Sequence, residues 1–233
     1  MHLSRTLVAL MVLAAGAVTL AAVGAAPAPQ AGEEGFTTLF NGKDFTGWIY
    51  GSRPNGTENK SGLGYQIKDG VIFSTKDDGG NLYTAKEYSD FAFRFEFKLT
   101  ENANNGIGIR APLVGDAAYV GMEIQVLDDG GSQYTKLEPG QYHGSIYKVV
   151  PAKRGFQKPV GEWNSEEIRA KGTRITITLN GTVIVDADLD RVKPVDGLDH
   201  PGLKSARGHL VLCAHGDYGA KVYFRNLRLK ELK

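Results

Sequence analysis

The 233 residues predict an all-β fold, a sandwich of two antiparallel sheets. Three observations carry this expectation. Strand-like alternation recurs along the chain, thirty glycines punctuate it, and no sustained helical periodicity follows the leader. Many short strands with one apolar face each bury that face best against a second sheet.

The leader comes first. MHLSR is a short basic start, and TLVALMVLAAGAVTLAAVGAA has no charge. Small residues at Val23-Gly24-Ala25 fit a signal-peptidase site, so residues 1–25 are expected to be a signal peptide and 26–34 a flexible N-terminus. The expected location is periplasmic or secreted. The length of the apolar run leaves an uncleaved membrane anchor as the alternative. No cysteine lies near the junction, which argues against a lipoprotein. Residues 35–233 are then expected to form a single domain, because the 208 residues after position 25 suffice for one sizeable core.

Arg5 leaves with the leader, and 26 basic and 26 acidic side chains remain. That balance offers no electrostatic hold on nucleic acid, and none on an anionic membrane once the signal is cleaved. Cys213 is the only cysteine, so no intrachain disulfide is available. It is expected to be a buried, small apolar side chain.

The strands follow in order. KDGVIFS (68–74) reads as a short strand. FAFRFEFKLT (91–100) sets Phe91, Phe93, Phe95, Phe97 and Leu99 on one face, and Arg94, Glu96 and Lys98 on the other. NNGIGIR (104–110) has an apolar row of Asn105, Ile107 and Ile109, and a second row of Asn104, Gly106, Gly108 and Arg110. Glycines inside a strand weaken it, and they let another group approach the backbone closely. Arg110 could hold a ligand oxygen or neutralise Glu123. The alternative, a bulged strand with a surface ion pair, stays open.

YVGMEIQVLDD (119–129) alternates too. Met122, Ile124 and Val126 share one face, while Tyr119, Gly121, Glu123, Gln125 and Leu127 share the other. A carboxylate, an amide and an aromatic ring in one row suit a sugar: planar polar groups bind hydroxyls, and a ring stacks on the apolar face of a pyranose. The plain alternative is a solvated sheet face. An irregular stretch then runs from Asp128 to about Trp163, a length that is often functional. HGSIY (143–147) is a candidate short strand within it. GEWNSEEI (161–168) supplies Glu162, Trp163 and Asn164, with Trp163 readable as a packed side chain beside a turn. Asp128 and Glu162 would be the second carboxylates of a two-carboxylate glycosidase.

RITITLNGTVIVDADL (174–189) is a hairpin with Asn180-Gly181 at the tip, a pair that suits the positive φ angles of a type I′ turn. GHLVLCAHG (208–216) and KVYFRNLRLKEL (221–232) read as a closing pair. His143, His209 and His215 are candidates for acid–base work or metal binding. No HxH or HExxH spacing occurs, so any metal site would have to be assembled by the fold. The sequence fixes no cofactor and leaves a divalent metal open. No GxSxG, P-loop or dinucleotide fingerprint is present.

The ordered set GFTTLFNGKDFTGW (35–48), NNGIGIR, GMEIQVLDD, HGSIY, GEWN, LNG (179–181), HG (215–216) and YFRNLRL (223–229) resembles the bacterial 3-keto-disaccharide hydrolase family, from about Gly35 to Leu232. The resemblance implies a concanavalin A-like, laminin-G-like jelly roll. It also implies cleavage of glycosides whose glucose is oxidised at C3, as a 1,2-lyase and 3-keto-glucal hydratase. In one departure, LVLCAHG has Cys213 where the family commonly has glutamine.

By that resemblance the expected catalytic residues are Glu123, His143, His215 and Arg110. Proton transfer falls to His143 or Glu123, and enolate stabilisation to Arg110 and His215. Gln125, Asn104 and Asp128 are expected to bind hydroxyls, with Tyr142 and Trp163 as further substrate contacts. The implied partner is a small oxidised saccharide. A non-catalytic carbohydrate-binding module is the alternative from another class, and a structural domain with a flat apolar patch is a third.

Overall fold

The structure, a computed structural model, describes residues 34–51, 64–75, 80–215 and 219–233. The expected signal peptide, nearly all of the expected flexible N-terminus and the glycine of the HG motif lie outside the described residues. Among the described residues no helix is long and apolar enough to cross a membrane.

In chain order the strands are β1 (Thr37–Thr38), β2 (Trp48–Gly51), β3 (Tyr65–Lys68), β4 (Val71–Ser74), β5 (Asn81–Tyr88), β6 (Phe91–Leu99) and β7 (Asn104–Ala111). A four-residue helix, α1 (Ala117–Val120), precedes β8 (Met122–Leu127). Then come β9 (Asn164–Lys171), β10 (Arg174–Leu179), β11 (Thr182–Asp188), β12 (Gly208–Ala214) and β13 (Val222–Glu231). One sheet runs β11-β10-β9-β6-β13-β4-β3, with β1 also on β13; the other runs β2-β5-β12-β7-β8. All pairings are antiparallel. The expected sandwich of two antiparallel sheets is what forms.

The phenylalanine row of β6 is buried as its alternation requires, and Phe93, Phe95 and Phe97 meet Phe224 and the facing apolar row Ile107, Ile109, Met122, Ile124 and Val126 in one core. Truncating such a buried phenylalanine typically costs about 3–5 kcal/mol. The hairpin tip also forms as expected: Asn180 and Gly181 have φ of 49° and 84°.

Three strand expectations change. Residues 68–74 hold a turn, with Asp69 and Gly70 at φ 51° and 74°, between β3 and β4. Strands β12 and β13 do not pair with each other; they lie in different sheets. Tyr119 sits on α1, not on a strand. Asp116 caps that helix by accepting from the Ala118 amide at 3.0 Å, an arrangement aspartate favours. Ala117 then packs with Tyr83, Ala111, Val211 and Cys213 on the outer face of the five-stranded sheet. Cys213 is buried there, as expected.

Candidate functional site

Strand β8 presents Glu123 and Gln125 on the face away from the core, as the alternation predicts. Their neighbours on β7 are glycines: Gly108 is opposite Glu123, and Gly106 is opposite Gln125. The bare backbone at Gly106 is where the Glu123 side chain lies. A Cβ added there would sit 1.8 Å from Glu123 Oε1. Lying across that gap, Glu123 brings Oε1 to 3.2 Å from Nε2 of His215, just past the end of β12. Glu123 is buried and His215 half-buried. With Nε2 donating to the carboxylate, Nδ1 is the basic nitrogen of the neutral ring.

This pair lines a cavity of about 270 Å³ together with Asn104, Gln125, Asp116, Ala118, Tyr119 and Tyr147. The orientation of Gln125 is fixed, because its Nε2 donates to the Gln141 carbonyl at 3.3 Å. Its Oε1 is buried and meets no donor among the described residues, and the same holds for Asn104 Oδ1. Leaving such acceptors unpaired costs about 1–3 kcal/mol each.

Tyr147 arrives from the HGSIY segment. That segment runs beside β8 through backbone bonds from Gly144 to Gln125, Gln125 to Ser145 and Tyr147 to Glu123. The Tyr147 oxygen accepts from Gln141 Nε2 at 3.2 Å, which turns its own O–H proton elsewhere. Tyr119 stacks on the buried His200 ring at 4.6 Å. His200 in turn faces the Ala118 carbonyl at 3.3 Å and Asp196 at 3.2 Å, buttressing α1 from behind. Burial opposes the charge on Asp196, but the Leu198 amide and His200 hold its carboxyl below the usual range. Burial likewise opposes the Lys148 ammonium; Tyr147, Tyr119 and Asp196 still leave it above an ordinary lysine.

The structure thus brings together Glu123, Gln125, Asn104 and His215. It does not bring the other expected residues to them. Arg110 has φ 50°, and two residues of β7 there oppose one of β12, since His209 pairs with Ala111 while Val211 pairs with Gly108. That bulge takes Arg110 out of the Gly106–Gly108 row. Its buried guanidinium donates to the carbonyls of Ser89 (3.0 Å), Gly172 (2.8 Å) and Ser205 (3.4 Å) and to Asp90 (3.2 Å). Burial pushes its pKa down, and Asp90 partly restores it. Arg110 is a structural clamp.

His143 points inward. Its Nδ1 faces the Leu127 amide at 3.4 Å, its ring packs on Phe97 at 4.9 Å, and its Nε2 lies 3.2 Å from Glu166. Nε2 and Glu166 are close but not aligned for a hydrogen bond, and both are sealed from solvent. The two are a buried pair between the sheets.

Asp128 accepts from the Asn102 and Gly130 amides and so shapes a turn. The Tyr142 ring is covered by Arg154 at 3.6 Å. Trp163 stacks with Arg225 at 3.9 Å and Lys98 at 5.1 Å, on the outer side of the eight-stranded sheet, because those cations alternate outward from the phenylalanine row. His209 binds the Thr84 carbonyl at 2.7 Å. Glu162 is exposed, so the second carboxylate at the cavity is Asp116. Among the described residues no group of three or more His, Cys, Asp or Glu is positioned to hold a metal ion.

Sequence reasoning missed Asp116 and Tyr147. An aspartate ahead of Ala-Ala is a helix-cap signal for Asp116. Tyr147 stood four residues from His143 in a motif already singled out.

A profile of the 3-keto-alpha-glucoside-1,2-lyase-like domain matches residues 35–230. A 3-keto-disaccharide hydrolase from Bacteroides thetaiotaomicron is 26% identical over 238 residues, covering 85% of this chain and 79% of the relative. Two solved structures from Parabacteroides distasonis, each provisionally described as a glycosyl hydrolase, share the fold. One is 25% identical with a TM-score of 0.68, over 84% of this chain and 99% of the other. The second is 28% identical with a TM-score of 0.66, over 85% and 95%.

Proposed function

The chain belongs to the 3-keto-alpha-glucoside-1,2-lyase-like family, and on that basis and the site geometry we propose that it cleaves glycosides whose glucose unit carries a ketone at C3. The observation that carries this reading is the Glu123–His215 contact of 3.2 Å at a cavity also lined by Asn104, Gln125 and Tyr147. A C3 ketone acidifies the C2 proton, because the resulting anion spreads onto the carbonyl oxygen. The Glu123–His215 pair takes that proton. The C1–O bond then breaks, and the leaving oxygen takes a proton. Water adds across the C1–C2 double bond of the enone and yields the free 3-keto sugar. No nucleophilic carboxylate is needed.

Tyr147 is the neutral donor for the developing enolate or the leaving oxygen, in the manner of an oxyanion donor. Gln125 and Asn104 line the place of the sugar. These roles replace the ones expected for His143 and Arg110. The partner is a small oxidised saccharide. Export through the leader to the periplasm or the medium is part of the same proposal.

The test is turnover of a purified 3-keto-disaccharide, with and without chelator. The proposal expects release of the aglycone and its loss in Glu123→Gln and His215→Ala. Binding without release in the wild type would instead support a non-catalytic carbohydrate-binding module.

A further inference from the structure

The cavity has more acceptors than a proton-transfer site requires. Two carboxylates line it from two different elements, Glu123 from β8 and Asp116 from the start of α1. The amide side chains of Gln125 and Asn104 join them. Gln125 is only 6% exposed, and its Oε1 finds no donor among the described residues; Asn104 Oδ1 is in the same position. Against these stand His215 and two tyrosines. The nearby cation, Lys148, hydrogen-bonds to Tyr119 and lies 5.7 Å from the centre of the Tyr147 ring, and it is not among the lining side chains.

We propose that Asp116 is a charge filter: the site takes neutral or cationic sugars rich in hydroxyl donors and rejects those carrying a carboxylate, sulfate or phosphate. The inference rests on the sugar-site reading and adds a specificity rule to it. Asp116 suits the role because Glu123 is partnered by His215, whereas among the described residues Oδ1 of Asp116 accepts from a neutral backbone amide at 3.0 Å. An anionic substituent would meet the Asp116 carboxylate with no cation among the lining groups except a protonated His215. A like-charge contact at roughly 5 Å, with the effective dielectric of a protein surface, weakens binding on the order of a hundredfold before salt screening.

The experiment is calorimetric binding of three glycosides that differ only at C6: the glucoside, the glucuronoside and the 6-amino-6-deoxy-glucoside. Full-length wild type is compared with Asp116→Asn at low and high salt. Asparagine is also a good helix N-cap, so α1 should survive the change. The proposal expects the wild type to bind the glucuronoside at least about tenfold more weakly than the glucoside at low salt, with the gap narrowing as salt rises. The amino sugar should bind at least as well as the glucoside. In Asp116→Asn the glucuronoside penalty should shrink to about threefold or less. Glucuronoside binding within threefold of the glucoside in the wild type overturns the filter while leaving the sugar site intact. A penalty unchanged in Asp116→Asn overturns the assignment to Asp116. Failure of all three sugars to bind, together with no turnover of a 3-keto-disaccharide, overturns the sugar reading and the filter with it.

Discussion

Replacing Gly106 with alanine should disable the site while leaving the sandwich folded. The new Cβ would lie 1.8 Å from Glu123 Oε1 and 2.5 Å from Cγ and Cδ. Ordinary carbon contacts are about 3.5–4.0 Å, so the carboxylate has to retreat by roughly 1.5–2 Å. That motion breaks the 3.2 Å approach to His215. Misplacing a catalytic group by about 1 Å can cost on the order of a hundredfold in rate. The cost to stability is smaller. Crowding costs about 1–3 kcal/mol, while the restricted unfolded chain of alanine returns about 0.4–1 kcal/mol. The atoms in the way belong to the far end of a flexible side chain beside a cavity, so the low end applies. In a domain of this size, about 1 kcal/mol moves Tm by roughly 2–4 °C. The assay pairs turnover of a 3-keto-disaccharide with a thermal melt. A hundredfold loss of kcat/KM with a small Tm shift is expected. Activity within threefold of wild type would show that the Glu123–His215 contact does no chemistry, and a loss matched by collapse of the melt would show that packing alone was damaged.

Further expectations follow from the residues that left the site. Arg110→Ala removes four contacts of a buried guanidinium, but its partner Asp90 is 32% exposed and can turn to water, so the loss falls below that of a fully buried charge pair, at about 1–3 kcal/mol. Its melt should fall, while turnover per folded molecule stays within about threefold of wild type because the guanidinium touches no substrate. His143→Leu leaves the Glu166 carboxylate alone in the core, so chemical denaturation should show a loss of about 3–5 kcal/mol, with activity per folded molecule largely kept. Burial pushes the Tyr83 phenol up to about 12, with Cys213 and Asp116 adding to the rise and Asn81 opposing it. The folded state therefore favours the neutral phenol. Its contribution is fully present below the unfolded value near 10 and is lost as pH climbs from about 10 to about 12. Urea midpoints at pH 9 and pH 11.5 should show that slope in the wild type and a shallower one in Tyr83→Phe; identical slopes would contradict the assignment.

What could be read from the residues, and what could not, divides along a physical line. Period-two alternation set the inner and outer rows of β6 and β8 without ambiguity, and Asn180-Gly181 set its turn, because both depend only on local backbone geometry. The outward row of Glu123 and Gln125, and the close approach at Gly106, followed from the same rule. Arg110 broke it because one residue at φ 50° creates a bulge, and a bulge reverses every face beyond it. The alternation of NNGIGIR is silent about where such a residue falls, although a bulged strand was one of its two open readings. His143 failed for a different reason. The Asp129 carboxylate takes the His143 amide at 2.8 Å and helps turn the segment so that the imidazole enters the core, leaving Tyr147 for the cavity. Contacts of that kind are made by side chains distant in sequence, and no periodicity encodes them. Asp116 was hidden because α1 has four residues, too few for a helical pattern to register.

Exchange of the C2 hydrogen of a 3-keto-glucoside in deuterium oxide, followed by NMR, tests proton abstraction apart from the later steps. The wild type should wash deuterium into C2 or into the released 3-keto sugar, and Glu123→Gln and His215→Ala should each slow that exchange by at least about a hundredfold. Exchange at wild-type rates in both variants would contradict the assignment of this pair as the base.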